Sequence, residues 1–141
     1  EFLMSLVRWP AFRGPRLRLI ETHSPSILAF ARWSGKNLAV VVANFSTVRA
    51  HVTMNLSPFR DGFDPRRLYL FTDLFHGAAR LSGVREESTN DIAMAVLGDD
   101  LRETGLSVSL AGLCCKIFSV NLKQNVVVRE PAPIKSPLNP M

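Results

Sequence analysis

The sequence predicts an all-β domain: an antiparallel two-sheet sandwich of about eight strands with Greek-key connections, preceded by a short helical segment. Two observations carry this prediction. Val, Leu, Ile and nine Phe residues occur in short runs, which suit half-buried pleated surfaces better than long amphipathic helices. Turn-forming residues separate these runs at intervals of roughly 8 to 15 residues, which is typical of an antiparallel sandwich or barrel.

Composition indicates one globular domain, since 47% of the 141 residues are hydrophobic and 21% are charged. The formal net charge is +5, but the basic residues are scattered and form no run of five. Nucleic-acid binding is therefore not expected. It stays a second alternative, because strand alternation places Arg16 and Arg18 on one side.

The chain opens with a helical pattern and then changes to strands. Apolar residues at Phe2, Leu3, Leu6 and Val7 follow a helical period up to Pro10, so residues 1–9 are predicted to be the last turns of a helix that begins earlier. After the turn at residues 13–15, the alternation from Arg16 to Leu19 predicts the first strand.

The next three strands are predicted from Ser26 to Trp33, from Lys36 to Asn44 and from Arg49 to Leu56. Ser34-Gly35 has hairpin-turn chemistry between the first two of these. The third strand of the chain is apolar at every position from residue 38 to 43, which predicts a central place in the sheet. Asn44 is expected to cap the turn that follows, and a second hairpin is expected to join residues 36–44 to residues 49–56.

The second half of the chain is less regular. Breakers predict a loop from Ser57 to Pro65, and alternation predicts a strand from Arg67 to Phe75. Within residues 80–103, an exposed loop is expected to precede a strand or a short helix. Residues 106–110 and 114–122 are expected to form a closing antiparallel pair around Ala111-Gly112. The sandwich domain is thus placed at residues 10–123, with a Pro-rich extended tail at 124–141.

The order of these segments resembles the C-terminal β-sandwich of the α-amylase superfamily, glycoside hydrolase family 13. The resemblance rests on four segments taken together: Pro10 to Gly14 (PAFRG), Ile27 to Arg32 (ILAFAR), Val40 to Ser46 (VVVANFS) and Asp73 to Gly77 (DLFHG). It implies a non-catalytic accessory domain that stabilises the (β/α)₈ barrel of a glycosidase or transglycosidase acting on α-glucans. That barrel needs about 250 residues, so no catalytic residue of the family can be placed on this chain.

No reactive constellation is found in the sequence itself. The carboxylate pairs Glu86-Glu87 and Asp99-Asp100 are expected to be solvated, and the three histidines, His23, His51 and His76, lack ligands at metal spacings. No metal or cofactor is expected. Cys114 and Cys115 are predicted to be one buried and one half-exposed structural thiol, since neighbours on a strand face opposite ways. Free thiols favour the cytoplasm.

Two binding roles are weighed beside the structural one. Trp33, Tyr69 and Trp9 are candidates for stacking on a sugar ring, which makes a starch- or glycogen-binding module the first alternative function. In the family reading, the apolar side chains of residues 1–9 pack between the barrel and the sandwich, namely Phe2, Leu3, Leu6, Val7 and Trp9. Exposure of that segment, or of a sheet edge, would favour self-association. No segment is long and apolar enough to predict a membrane helix.

Overall fold

The computed structural model describes residues 16–74, 79–80 and 93–123. Within them are nine strands, a 3₁₀ helix and one short α-helix, here called α1. The strands are β1 (Leu17–Leu19), β2 (Ile27–Ser34), β3 (Asn37–Asn44), β4 (Ala50–Met54), β5 (Leu68–Asp73), β6 (Ala79–Arg80), β7 (Ala93–Leu97), β8 (Leu106–Leu110) and β9 (Cys114–Asn121). The 3₁₀ helix is Ser57–Gly62 and α1 is Gly98–Glu103. The predicted helical segment 1–9 and the predicted tail 124–141 lie outside the described residues.

Two antiparallel sheets confirm the predicted all-β fold class. The larger sheet has the order β1-β2-β3-β9-β5-β7, with β6 also paired to β9, and the smaller sheet consists of β4 and β8. All pairings are antiparallel. Strand β9, the last of the described strands, therefore enters the middle of the large sheet, between β3 and β5.

Strand β3 is the centre of the large sheet, as its continuous apolar run predicted. It pairs along its whole length with β2 and over seven residues with β9, and six of its eight residues are buried. The β2–β3 turn passes through Gly35, whose φ of 59° lies in the left-handed region that suits glycine. The predicted hairpin between these two strands is therefore confirmed.

Two other predicted pairings are wrong. Strand β4 does not form a hairpin with β3, and β8 does not form one with β9; instead β4 and β8 pair with each other as the small sheet. Both connections cross from one sheet to the other. Alternating apolar residues show that a strand has one buried face, but that pattern is compatible with pairing to any strand whose apolar face meets the same core.

The cross-sheet connection is held by the buried side chain of Asn44, at the end of β3. Its Oδ1 accepts a hydrogen bond from the N–H of Ser46 (3.0 Å), which is the predicted turn cap. Its Nδ2 also donates to the carbonyl oxygens of Val48 (2.9 Å), Ala111 (3.2 Å) and Leu110 (3.4 Å). One amide thus joins the β3–β4 connection to the end of β8.

Packing corrects one local prediction and decides between the alternatives of another. The predicted loop at Ser57–Pro65 contains the 3₁₀ helix, which places Phe59 in the core, where its ring meets Trp33 edge-to-face with 5.1 Å between ring centres. Within residues 80–103, where the sequence predicts a strand or a short helix, the structure contains both. Strand β7 pairs with β5, and α1 follows it directly.

Alternation along the strands sends one set of side chains into the space between the two sheets. Val52, Met54 and Leu56, which are spaced two residues apart, face this core and meet the inward residues of β2, β3, β5 and β9. The large aromatic side chains in the core are those of Trp33, Phe59, Phe63, Tyr69, Phe71 and Phe118. The opposite face of the large sheet, called here the outer face, is left for other contacts.

Candidate functional site

The two described aromatic residues predicted to stack on sugars belong to the core. Trp33 is 6% exposed and Tyr69 is 2% exposed, so neither ring presents a face to solvent. The Tyr69 hydroxyl accepts a hydrogen bond from the N–H of Asp64 (2.6 Å) and donates to the C=O of Gly62 (3.4 Å), and these bonds tie the ring to the backbone. The sugar-platform prediction is therefore corrected for both residues, because inward alternation of β2 and β5 buries them.

The third aromatic candidate, Trp9, lies outside the described residues. So do the apolar residues predicted to pack against a neighbouring barrel: Phe2, Leu3, Leu6 and Val7. The roles assigned to these residues from the sequence stay predictions.

An opening in the described surface lies where β5 and β9 separate. The two strands pair at only two positions, Thr72 with Ser119 and Asp73 with Phe118. Just beyond the paired region, the N–H of Leu74 donates to the C=O of Ile117 at 2.8 Å. Along a strand, the backbone N–H and C=O groups point alternately to one neighbouring strand and to the other. These bonds therefore show which residues of β5 point their backbone groups toward β9, and which residues of β9 point theirs toward β5.

By that alternation, Leu70 directs its backbone N–H and C=O toward β9, and Asn121 directs its own toward β5. The paired register ends before they meet, so Leu70 and Asn121 face each other without forming a pair. The N–H of Lys123, which has the same direction as that of Asn121, donates to the C=O of Gly62 (2.8 Å). Strand β9 therefore turns away from β5 and leaves a wedge between the two strands.

This wedge, called here the β5–β9 cleft, has a volume of about 430 Å³, within the range of small-molecule sites. Buried apolar residues form its floor: Leu38, Tyr69 and Val120. Polar side chains surround the floor, namely Asn37, Arg67, Thr72, Ser119 and Asn121, and two exposed leucines, Leu68 and Leu70, stand on the β5 side.

Arg67 gives the cleft its charge. Its guanidinium carbon lies 5.9 Å from the centre of the Tyr69 ring, a cation–π arrangement. Among the residues that the structure describes, no carboxylate lies within ion-pair distance of Arg67 and none lines the cleft. The cleft therefore presents a positive charge above an apolar floor, beside amide and hydroxyl groups.

No pattern in the sequence indicated this cleft. Its polar residues come from three strands and occupy positions 37, 67–72 and 119–121, so they meet only through the order β3-β9-β5. Spacing along the chain says nothing of where two strands diverge.

The cysteines occupy the predicted environments. Cys114 is buried, Cys115 is half-buried, and both are free thiols. Burial raises the pKa of the Cys115 thiol, and the neighbouring Cys114 and Asp73 raise it further. A raised thiol pKa keeps the group protonated near neutral pH, which opposes a nucleophilic role and agrees with a structural one.

The remaining candidates of the sequence are dispersed. Asp99 and Asp100 lie in the exposed first turn of α1, and His23 and His51 are exposed on separate elements. Across ranges 16–74 and 93–123, no three His, Cys, Asp or Glu side chains gather at metal-binding distance. The pair Glu86-Glu87 and His76 lie outside the described residues.

The second surface feature is apolar. On the outer face, β1 and β2 present the exposed side chains of Leu17, Leu19 and Leu28 beside the half-buried Phe30, and Leu19 is 67% exposed. The register pairs Leu19 with Phe30, which places their side chains on one face of the sheet. We call these four residues the β1–β2 patch.

Comparisons with known proteins add no family assignment: no protein-family model matches the sequence, and no curated protein matches it either. No helix in the described part of the chain has the length and apolar character needed to cross a bilayer.

Proposed function

We propose that this chain is a non-catalytic accessory domain of an α-amylase-like glycosidase or transglycosidase acting on α-glucans, and that it stabilises the catalytic barrel by packing against it. The β1–β2 patch is the observation that carries the proposal. A strand that exposes one face to solvent should alternate polar with apolar residues. Strand β2 is instead apolar on its outer face as well, at Leu28 and Phe30. Contiguous exposed apolar surface of this kind marks a site of protein contact.

Two further points support the accessory role. The segments behind the family resemblance include Ile27 to Arg32, which lies in β2, and Val40 to Ser46, which runs from β3 into the turn after it. Two of the four patch residues, Leu28 and Phe30, therefore belong to one of the resembling segments. In addition, the described lining of the β5–β9 cleft includes none of the carboxyl groups on which retaining glycoside hydrolysis depends.

The decisive experiment is made on the complete protein that contains this chain. Combining Leu19→Ser with Leu28→Ser is expected to shorten the half-life of its α-glucan activity at elevated temperature severalfold, because the patch would lose the apolar area that it buries against the barrel. Val48→Ser is the matched control, since Val48 is as exposed as Leu19 but lies in the β3–β4 connection, away from the patch.

Equal half-lives for the double variant and the control would refute packing through the patch. A complete protein without α-glucan activity would refute the parent assignment. A third measurement addresses the glucan-binding alternative: the chain should migrate unretarded in gels that contain soluble starch, because its two described candidate rings are buried. Retardation there would replace the proposal with a glucan-binding module.

A further inference from the structure

The β5–β9 cleft holds polar side chains that the fold itself does not use. Thr72, Ser119 and Asn121 make no side-chain hydrogen bond to any other described residue, although all three line one opening. The small sheet behaves differently, because its exposed hydroxyls satisfy each other: Thr53 and Ser107 lie 2.9 Å apart. Polar groups gathered around an apolar floor are the usual composition of a small-molecule site.

We propose that the β5–β9 cleft binds a small hydroxylated ligand that carries one oxyanion, a carboxylate or a phosphate. The Arg67 guanidinium contacts the oxyanion. The side chains of Thr72, Ser119 and Asn121 bond the hydroxyl groups, and the apolar floor receives the carbon skeleton. This site is separate from the β1–β2 patch and does not depend on the proposed function.

The oxyanion is inferred from the charge of the cleft. Arg67 is a permanent cation with five donors in a planar fork, a geometry that matches carboxylate and phosphate oxygens. Its guanidinium lies over the Tyr69 ring, which forms part of the cleft floor, and no carboxylate among the described lining residues is there to repel an anion.

The hydroxylated body is inferred from the other polar groups. Hydroxyls and amides both donate and accept hydrogen bonds, which is what sugar hydroxyls require. The backbone groups of Leu70 and Asn121 that face the cleft add donors and acceptors of the same kind. A purely apolar ligand would leave these groups without water or partners, which opposes its binding.

The small size follows from the shape of the wedge. The strands are joined at Thr72 and Ser119, so the cleft closes at one end after about three residues of β5, or roughly 10 Å of strand. An added β-strand would have no length over which to form a ladder. One sugar-sized ligand fits the space better than an extended peptide.

The test is an NMR titration of the 141-residue chain, in which backbone amide shifts report both folding and the place of binding. The probes are glucuronate, glucose 6-phosphate, glucose and inorganic phosphate. Glucuronate or glucose 6-phosphate should shift the amides of Leu70, Ser119 and Asn121, with a dissociation constant about tenfold below those for glucose and inorganic phosphate. The tighter of the first two identifies carboxylate or phosphate as the preferred oxyanion.

Arg67→Gln should weaken binding of the preferred probe about tenfold, the effect of losing one charge-assisted contact at a solvent-accessible site. Arg66→Gln is the matched control: it removes the same charge from an exposed neighbour that does not line the cleft, and should change the affinity by less than about twofold. Ser119→Ala, a second cleft variant with an unaltered charge, should weaken the sugar probes severalfold and leave inorganic phosphate unaffected.

Three results would overturn the proposal. The first is the absence of amide shifts at the cleft with either anionic sugar. The second is equal weakening by Arg66→Gln and Arg67→Gln, which would show general attraction of anions to a basic chain. The third is binding of inorganic phosphate or glucose as tight as that of the anionic sugars, which would remove the need for an oxyanion and hydroxyls on one ligand.

Discussion

Replacing Asn44 tests how the two sheets are joined. Its side-chain amide serves one backbone N–H and three carbonyl oxygens on both sides of the core. The NH₂ group has two hydrogens, so the three donated contacts amount to two full hydrogen bonds, and the cap adds a third. At about 1 kcal/mol net for each, Asn44→Ala should lower the free energy of unfolding by about 3 kcal/mol.

Asn55 provides the control for this experiment. Its Oδ1 accepts the N–H of Ser57 at 3.0 Å, the same local cap that Asn44 makes with Ser46. Asn55 is exposed, however, and its side chain makes no hydrogen bond to a described residue of the other sheet. Asn55→Ala should therefore cost only about 0.5 to 1 kcal/mol. Urea denaturation followed by circular dichroism measures both, and with an m-value near 2 kcal/mol/M the midpoint for Asn44→Ala should fall by about 1.5 M.

Asn44→Asp sharpens the test, because a carboxylate cannot donate to the three carbonyl oxygens that surround it. At neutral pH this variant should be less stable than Asn44→Ala, since it buries a charge among acceptors. The reasoning is refuted if Asn44→Ala costs no more than Asn55→Ala, or if the Asp variant is as stable as the natural chain.

Two other predictions concern single positions. Burial raises the folded-state pKa of the Cys115 thiol, so the free energy of unfolding should fall as pH rises from the ordinary thiol pKa, about 8.5, through the folded value. Cys115→Val should remove that part of the alkaline loss in urea melts from about pH 7 to 10. An identical pH profile for the variant would contradict this. Gly105→Ala should cost more than about 2 kcal/mol, since Gly105 has φ of 107° and an added Cβ would lie 2.1 Å from the C=O of Met54. Gly35→Ala, at φ of 59° in an exposed turn, should cost only about 1 kcal/mol, and equal thermal shifts for the two glycines would count against the close approach as the cause.

Local pattern was sufficient for most strands. The period of two in residues 49–56 and 67–74 predicted strands there, because alternation is a property of the extended backbone itself. The uniform apolar run of β3 indicated a central strand for a similar reason. A strand that is covered on both faces has no solvent-exposed positions, so its sequence contains no alternating polar residues. The environments of Cys114 and Cys115 followed from the same geometry.

Pairing was not available from the same information. Residues 49–56 and 106–110 carry apolar alternation that suits either sheet, so the sequence favoured pairing with the nearest strand in the chain. The structure pairs β4 with β8 instead, and Asn44, which sequence showed only as a turn cap, joins that arrangement across the core. Long-range pairings of this kind depend on which arrangement of strands buries the most apolar surface over the whole domain.

The sequence by itself determined that this chain forms β-strands, since local backbone geometry and apolar spacing suffice for that. The resemblance to α-amylase C-terminal domains also comes from sequence and stays a prediction. Only the tertiary structure decided that Trp33 and Tyr69 are core residues and that Arg67, Ser119 and Asn121 share a cleft. The physical reason is that exposure and proximity depend on strand order and on where two strands separate, and neither is encoded in any short segment.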